Sequence, residues 1–234
     1  MDVKKLDIGF DKVDKILHFS DLHIRLNSRH DEYRECLEKL YDGVKNLPIN
    51  SLVVFAGDAH HTKVEISPEA IQLTNEVFRK IADLRPFIII AGNHDALLNN
   101  KSRLDNISPI VDGLGHKNIF YLKESGLYGV GNILFNNFSV FDDATKYIKS
   151  TSIPKKISLK YDKIVCLYHG PVYGMNTFLE YVVSDRTVTC ELFDGCHIAM
   201  CGDIHLSQDV FIEKDVPDDE LTQHLSTGEW EVVK

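Results

Sequence analysis

The sequence predicts an α/β fold in which a first half of alternating strands and helices meets a second sheet. Three observations carry this reading. Short β-rich apolar runs alternate with longer stretches of helical period up to about Gly113; the runs then become shorter and are punctuated by Gly and Asn; and five of the apolar runs end in polar motifs.

Residues 16–19, 51–56, 87–91, 163–168 and 197–201 are the strand candidates that end in motifs. Between the first two, Tyr33, Cys36, Leu37, Leu40, Tyr41, Val44 and Leu47 fall on one helical face, with Asp31 available as an N-cap and Pro48 beyond the end. A second helix is announced by Ser67-Pro68-Glu69 and is expected to carry Ile71, Val77, Phe78 and Ile81 inward. Beyond Gly113, residues 118–122, 126–130, 133–135 and 138–141 read as short antiparallel strands joined by tight turns. The polar, Lys-rich stretch 142–161 reads as a surface connection.

Composition narrows the function. With 234 residues, 44% hydrophobic and 26% charged, the chain is expected to build one domain around one substantial core. No apolar run approaches the roughly 20 residues of a membrane span, and the polar N-terminus lacks a signal peptide's apolar stretch, so no membrane partner and a cytoplasmic or nuclear location are expected. Five cysteines without a C-x-x-C pair read as buried reduced thiols. A net charge of −9 argues against a surface coated in basic residues, although lysines cluster at Lys4, Lys5, Lys12 and Lys15 and at Lys155, Lys156, Lys160 and Lys163. No phosphate-binding G-x-x-x-x-G-K-S/T loop occurs, so any ATP dependence must come from a partner.

The strand-end motifs are Ser20-Asp21-Leu22-His23, Gly57-Asp58-Ala59-His60-His61, Gly92-Asn93-His94-Asp95, Tyr168-His169-Gly170 and Gly202-Asp203-Ile204-His205. Loops at the carboxyl ends of strands in α/β sheets can bring such groups together although they lie far apart in sequence. Converging carboxylates and imidazoles are what a metal centre needs, and no single motif supplies enough of them. His18, His30, His116, His197 and His224 fit no ordered set and read as hydrogen-bonded scaffold. Tyr173, Phe178 and Tyr181 read as packing residues before base-stacking ones, and the acidic segment 215–220 as a solvated loop.

As a set, these motifs resemble the calcineurin-like metallophosphoesterase superfamily over about residues 15–212, and within it the SbcD-type subunit of double-strand-break repair nucleases, through the S-D-L-H start, His61 three residues after Asp58, and the G-D-I-H ending followed by Gln208. The resemblance implies a two-sheet α/β/β/α sandwich with its metal site at the C-terminal ends of strands. It implies two divalent ions, with Asp21, His23 and His205 on one, Asn93, His169 and Asp203 on the other, and Asp58 bridging. His94 would be a proton donor or charge stabiliser beside the departing oxygen, His61 would face the substrate with His60 as the fallback, and Asp95 would orient the His94 imidazole.

The family usually has histidine where this chain has Asp203. A third carboxylate hardens the donor set, favouring Mn2+ or Mg2+ over zinc, and should shift the activity optimum to higher pH. The implied activity is a DNA exonuclease or endonuclease in repair or recombination, with DNA, an SbcC-type ATPase subunit and a second copy of the chain as partners. The alternatives are a phosphodiesterase or phosphatase for small nucleotides or phosphoproteins, and a non-catalytic DNA- or partner-binding subunit. Little chain follows His205, so the family's capping domain and ATPase-docking segment are expected to be absent.

Overall fold

A computed structural model of the chain describes residues 1–100, 103–177 and 181–205. Phe178, Gln208, the acidic segment 215–220 and His224 lie outside the described residues.

The four-stranded sheet has the order β2 (Lys15–Phe19), β3 (Ser51–Ala56), β4 (Phe87–Ile90) and β5 (Ile119–Tyr121), and every pairing is parallel. Its central strands are apolar on both faces because both are covered. On the outer face, Val53, Phe55, Phe87 and Ile89 pack against Leu73, Val77, Phe78 and Ile81 of helix α2 (Pro68–Leu84), with α1 (His30–Lys45) and α3 (Ser108–Leu114) beside it. On the inner face, Leu52, Val54, Ala56, Ile88 and Ile90 meet Val130, Phe135, Val165 and Leu167 of a second sheet. That sheet has the order β1 (Val3–Leu6), β6 (Gly126–Val130), β7 (Ile133–Phe138), β8 (Lys163–His169) and β9 (Ile198–Gly202).

The expected two-sheet sandwich is therefore present, and local chemistry departs from expectation at identifiable places. Ser67 caps α2, its hydroxyl accepting the Ala70 amide, and Pro68 opens the helix. Ile71 is exposed, because the buried face runs through Ala70, Leu73 and Thr74. Asp31 is not the cap of α1: Arg29 holds that position with φ 64°, and Asp31 lies in the first turn, where its charge suits the helix dipole. Cys36 is exposed on α1, whereas Cys166 is buried and Cys190, Cys196 and Cys201 are half-buried.

Among the described strands only β6 and β7 form an antiparallel pair; β5 joins the first sheet in parallel. The two are linked through Gly131, whose φ of 53° suits a tight hairpin. Asn136 and Asn137, which read as turn residues, lie fully buried inside β7. Asn137 Nδ2 donates to the carbonyls of Leu122 and Glu124 at 2.8 and 2.9 Å, tying β7 to the connection from the first sheet. Over the outer face of the second sheet lie the segments 142–161, 171–177 and 181–196, whose helical content is three short 3-10 turns and α4 (Lys155–Ser158). β1 escapes the sequence pattern because its two central residues are lysines, which suit an edge strand.

Candidate metal centre

Strands β2, β3 and β4 of one sheet and β8 and β9 of the other end on the same side of the sandwich, and the motif residues follow them. Cross-links hold these ends together. The Asp21 amide donates to Gly57 O at 2.9 Å and the His23 amide to Asp58 O at 3.0 Å. The Asp203 amide donates to the Asp21 carboxylate at 3.0 Å, and Asn93 Nδ2 to Asp203 Oδ1 at 2.7 Å. Asp21, His23, Asp58 and Asp203 all adopt positive φ, at 58°, 46°, 59° and 87°. Asp and His enter this region more readily than bulky residues do. Such backbone persists only where the surroundings impose it, and it often gathers at functional sites.

His169 sits in a cradle of three glycines. A Cβ at Gly57 would lie 2.5 Å from the Gly92 nitrogen and 2.7 Å from His169 Nδ1; at Gly92 it would lie 2.6 Å from His169 Cε1, and at Gly202 2.6 Å from His169 Nδ1. His169 Nδ1 donates to Ala56 O at 2.6 Å, which directs Nε2 at Asp58 Oδ2, 3.3 Å away. Burial disfavours charge on this imidazole, but the Asp58 carboxylate and the Ala56 carbonyl outweigh it and raise the pKa to about 9. Asp58 is in turn held below the ordinary carboxylate range: burial acts against ionisation, and His169 and the His94 amide overcome it. The environment thus favours positive charge on Nε2, supplied by a proton or by a metal ion. For Asp203 the balance differs, with burial first and the charges of Asp58 and Asp21 raising its pKa against the pull of His169 and Asn93.

The donor set fits divalent cations. Donor atoms around an ion at about 2.1 Å lie roughly 3.0–3.4 Å apart. His23 Nε2 is 2.9 Å from His205 Nε2, and Asp21 Oδ1 is 3.8 and 3.7 Å from these two atoms. Asp58 Oδ2 lies 3.5 Å from His23 Nε2 and 3.3 Å from His169 Nε2, while His169 Nε2 is 3.9 Å from Asp203 Oδ1. Asp58 therefore stands between two groups of donors. Asn93 turns its amide nitrogen towards Asp203, and a half-turn of that amide would present its oxygen instead. Three overlapping triads, Asp21/His23/His205, His23/Asp58/His94 and Asp21/Asp58/His169, each bring their donor atoms within 4.8 Å of one another.

The remaining motif residues separate by role. His94 Nδ1 donates to the His61 carbonyl at 2.7 Å, leaving Nε2 as its other polar atom beside the cleft. His61 is exposed on the cleft wall. His60 is buried, its Nε2 3.0 Å from Thr74 Oγ1, and burial lowers its pKa to about 4, so it belongs to the scaffold.

The expectation that Asp95 orients the His94 imidazole is corrected. Its fully buried carboxylate accepts the amides of Asp58, Ala59 and Gly92 at 2.8, 2.9 and 2.8 Å and clamps the loop after β3 to the loop after β4. Burial, then the charge of Asp58, pushes its pKa up to about 7 against those amides. The scaffold histidines have partners: His30 meets Arg25 O at 2.6 Å, His116 meets Asp83 at 3.2 Å, and His197 Nδ1 accepts the Ile164 amide at 2.9 Å.

The cleft has a volume of about 410 Å³, and its wall includes Arg25, Arg29 and Tyr33 beside His23, Asp58, His61, His94, Asp203 and His205. Sequence reading missed the two arginines, since they fall between a motif and a helix and match no pattern. The lysine cluster it noted lies elsewhere: Lys163 opens β8, and His169 closes that strand at the metal end.

A two-sheet α/β sandwich that gathers carboxylates and imidazoles at one end of its strands defines a metal-dependent phosphoesterase. The chain belongs to the calcineurin-like phosphoesterase family, whose profile matches residues 14–207. Members of this family generally bind two divalent metal ions. The chain is 39% identical over 213 residues to an uncharacterized protein of Acanthamoeba polyphaga mimivirus, a match covering 88% of this chain and 16% of that protein. It is 35% identical over 116 residues to a subunit of nuclease SbcCD, its SbcD chain, from Bacillus subtilis, covering 46% of this chain and 27% of that protein. The matched stretches thus span less than a third of either relative. Among the described residues, no helix is long and apolar enough to cross a membrane.

Proposed function

We propose that the chain hydrolyses phosphodiester bonds in DNA with two divalent ions, Mn2+ foremost and Mg2+ as the alternative, in repair or recombination. The observation that carries this reading is Asp58 Oδ2 standing 3.5 Å from His23 Nε2 and 3.3 Å from His169 Nε2, between two groups of donors. Asp21, His23 and His205 would hold one ion, Asn93, His169 and Asp203 the other, and Asp58 both. Such a pair of ions, when bound, activates water and neutralises charge on the phosphoryl oxygens.

The protein's own groups do the rest. His94, its Nδ1 held by the His61 carbonyl, offers Nε2 to the departing oxygen as a proton donor. His61 faces the substrate from the wall, and Asp95 fixes the backbone that carries Asp58 and Asn93. Similarity to the SbcCD nuclease of Bacillus subtilis supports DNA as substrate and an SbcC-type ATPase partner; a homodimer and a cytoplasmic or nuclear location are further proposals that rest on the sequence alone. The net charge of −9 favours a second reading, a phosphodiesterase for small nucleotides.

Incubation with labelled single- and double-stranded DNA and Mn2+, beside an Asp58→Ala control, tests the proposal. Cleavage by the parent alone supports it. Intact DNA with turnover of a small phosphodiester moves the assignment to the second reading, and turnover of neither, with Mn2+ binding verified, refutes phosphodiester hydrolysis.

A further inference from the structure

The candidate centre is rich in carboxylates, yet one wall of its cleft carries positive charge. Arg29 is partly neutralised, donating to Glu32 through Nε at 2.7 Å. Arg25 is exposed, lines the cleft, and has no carboxylate partner among the described residues. Tyr33 lines the same wall of the cleft. The Tyr33 hydroxyl donates to the carbonyl of His23 at 2.7 Å, so the wall beside Arg25 is tied to the backbone of a candidate metal ligand.

From this geometry we infer that Arg25 grips a second phosphate of the substrate, displaced along the strand from the one cleaved. The inference rests on the phosphodiester-hydrolysis reading and deepens it by assigning Arg25 to a phosphate beside the scissile one, which a polynucleotide supplies and a substrate with one phosphate does not. Two arguments converge. A planar guanidinium presents paired N–H donors to phosphate oxygens and remains charged at any working pH. The cleft of about 410 Å³ falls within the size range of small-molecule sites, enough for a nucleotide unit beside the centre. A substrate with a single phosphate would leave this arginine unused.

The test compares an oligothymidylate with bis-p-nitrophenyl phosphate, which carries no second phosphate, in the presence of Mn2+. Arg25→Ala is expected to lower the ratio of kcat/KM for oligothymidylate over the small diester about tenfold, mainly through KM. The dependence of log kcat/KM on log salt for the oligonucleotide should become shallower by about 0.7, the value for one phosphate contact on a single strand. Arg25→Lys should retain the parent's salt slope while recovering only part of the KM. A parent active on both substrates, with an Arg25→Ala ratio and salt slope like its own, overturns the inference and leaves the phosphodiesterase reading standing. Equal losses on both substrates also overturn it, because they assign Arg25 to the integrity of the centre. A parent that binds Mn2+ and hydrolyses neither substrate overturns the underlying reading and this inference with it.

Discussion

Replacing Gly57 by alanine tests the cradle around His169 with a single methyl group. Two penalties combine at this position. Gly57 has φ 92°, where an L-residue is strained by about 1–2 kcal/mol. The added Cβ would also lie 2.5 Å from the Gly92 nitrogen and 2.7 Å from His169 Nδ1, and relieving such overpacking costs a further 1–3 kcal/mol or so. The neighbour that must move is backbone on one side and, on the other, an imidazole already bonded to Ala56 O, so the upper part of the range applies. A loss of about 4 kcal/mol corresponds to a fall in Tm of roughly 8–16 °C for a chain of this size.

Gly9→Ala supplies the control, because Gly9 has a similar φ of 84° and its Cβ would meet nothing within 4 Å. It should lose about 1 kcal/mol, or roughly 3 °C. Both melts are read by circular dichroism, and Mn2+ affinity by titration calorimetry. Gly57→Ala should weaken Mn2+ binding at least tenfold, whereas Gly9→Ala should not change it. If Gly57→Ala melts with Gly9→Ala and binds Mn2+ like the parent, the cradle does not position His169.

Asp95→Asn discriminates the clamp from an imidazole-orienting role: two backbone amides lose their acceptor, offset in part by removal of a buried charge, for a net loss of about 2 kcal/mol. Urea denaturation should show that loss together with weaker Mn2+ binding, whereas a fall in kcat alone would restore the orienting role. Asp105 supplies a pH prediction remote from the candidate ligands: burial opposes its ionisation, but Lys123 at 2.7 Å and Ser108 hold its pKa below the ordinary value. Its stabilising contribution is present above the unfolded carboxylate pKa of about 3.9 and is lost as pH falls through the lower folded value. Melting curves between about pH 6 and pH 2.5 should therefore show Asp105→Asn less stable than the parent at the top of this range, with the gap closing at the bottom; a constant gap refutes the linkage. Asp203→His should shift the metal preference from Mn2+ towards zinc, measured as the ratio of metal affinities, and an unchanged ratio would show that this carboxylate does not set the choice.

Legibility in the sequence followed the physics of each element. The central strands and α2 could be read because a continuous apolar run suits a strand covered on both faces and a Ser-Pro pair suits a helix start. The motif residues could be picked out because carboxylates and imidazoles recur at strand ends in the order of a family signature. What escaped was settled by partners distant in sequence. Asn136 and Asn137 mimic a turn until the carbonyls that accept from them are known. Asp95 looks like a partner for the adjacent imidazole until its amide donors, from residues 58 and 59 as well as 92, are seen. Arg25 has no pattern at all, because it matters only through the cleft it faces.

The left-handed backbone at Asp21, His23, Asp58 and Asp203 gives the site a further physical property. Strain of about 1 kcal/mol or more per residue, together with repulsion among three carboxylates, opposes this arrangement when no cation is bound. The arrangement is nevertheless held by contacts that involve no metal: the Asp95 clamp, the amides exchanged between the strand ends, and a core sealed on both faces of β3 and β4. Folding energy from the two-sheet core thus supports a donor set poised for positive charge. A ligand that binds only the folded form at 100 times its Kd adds about 2.7 kcal/mol of stability. Relief of carboxylate repulsion would appear within that gain as affinity, which is why substitutions in the clamp or cradle should weaken metal binding and folding together, while Arg25 on the wall should alter neither.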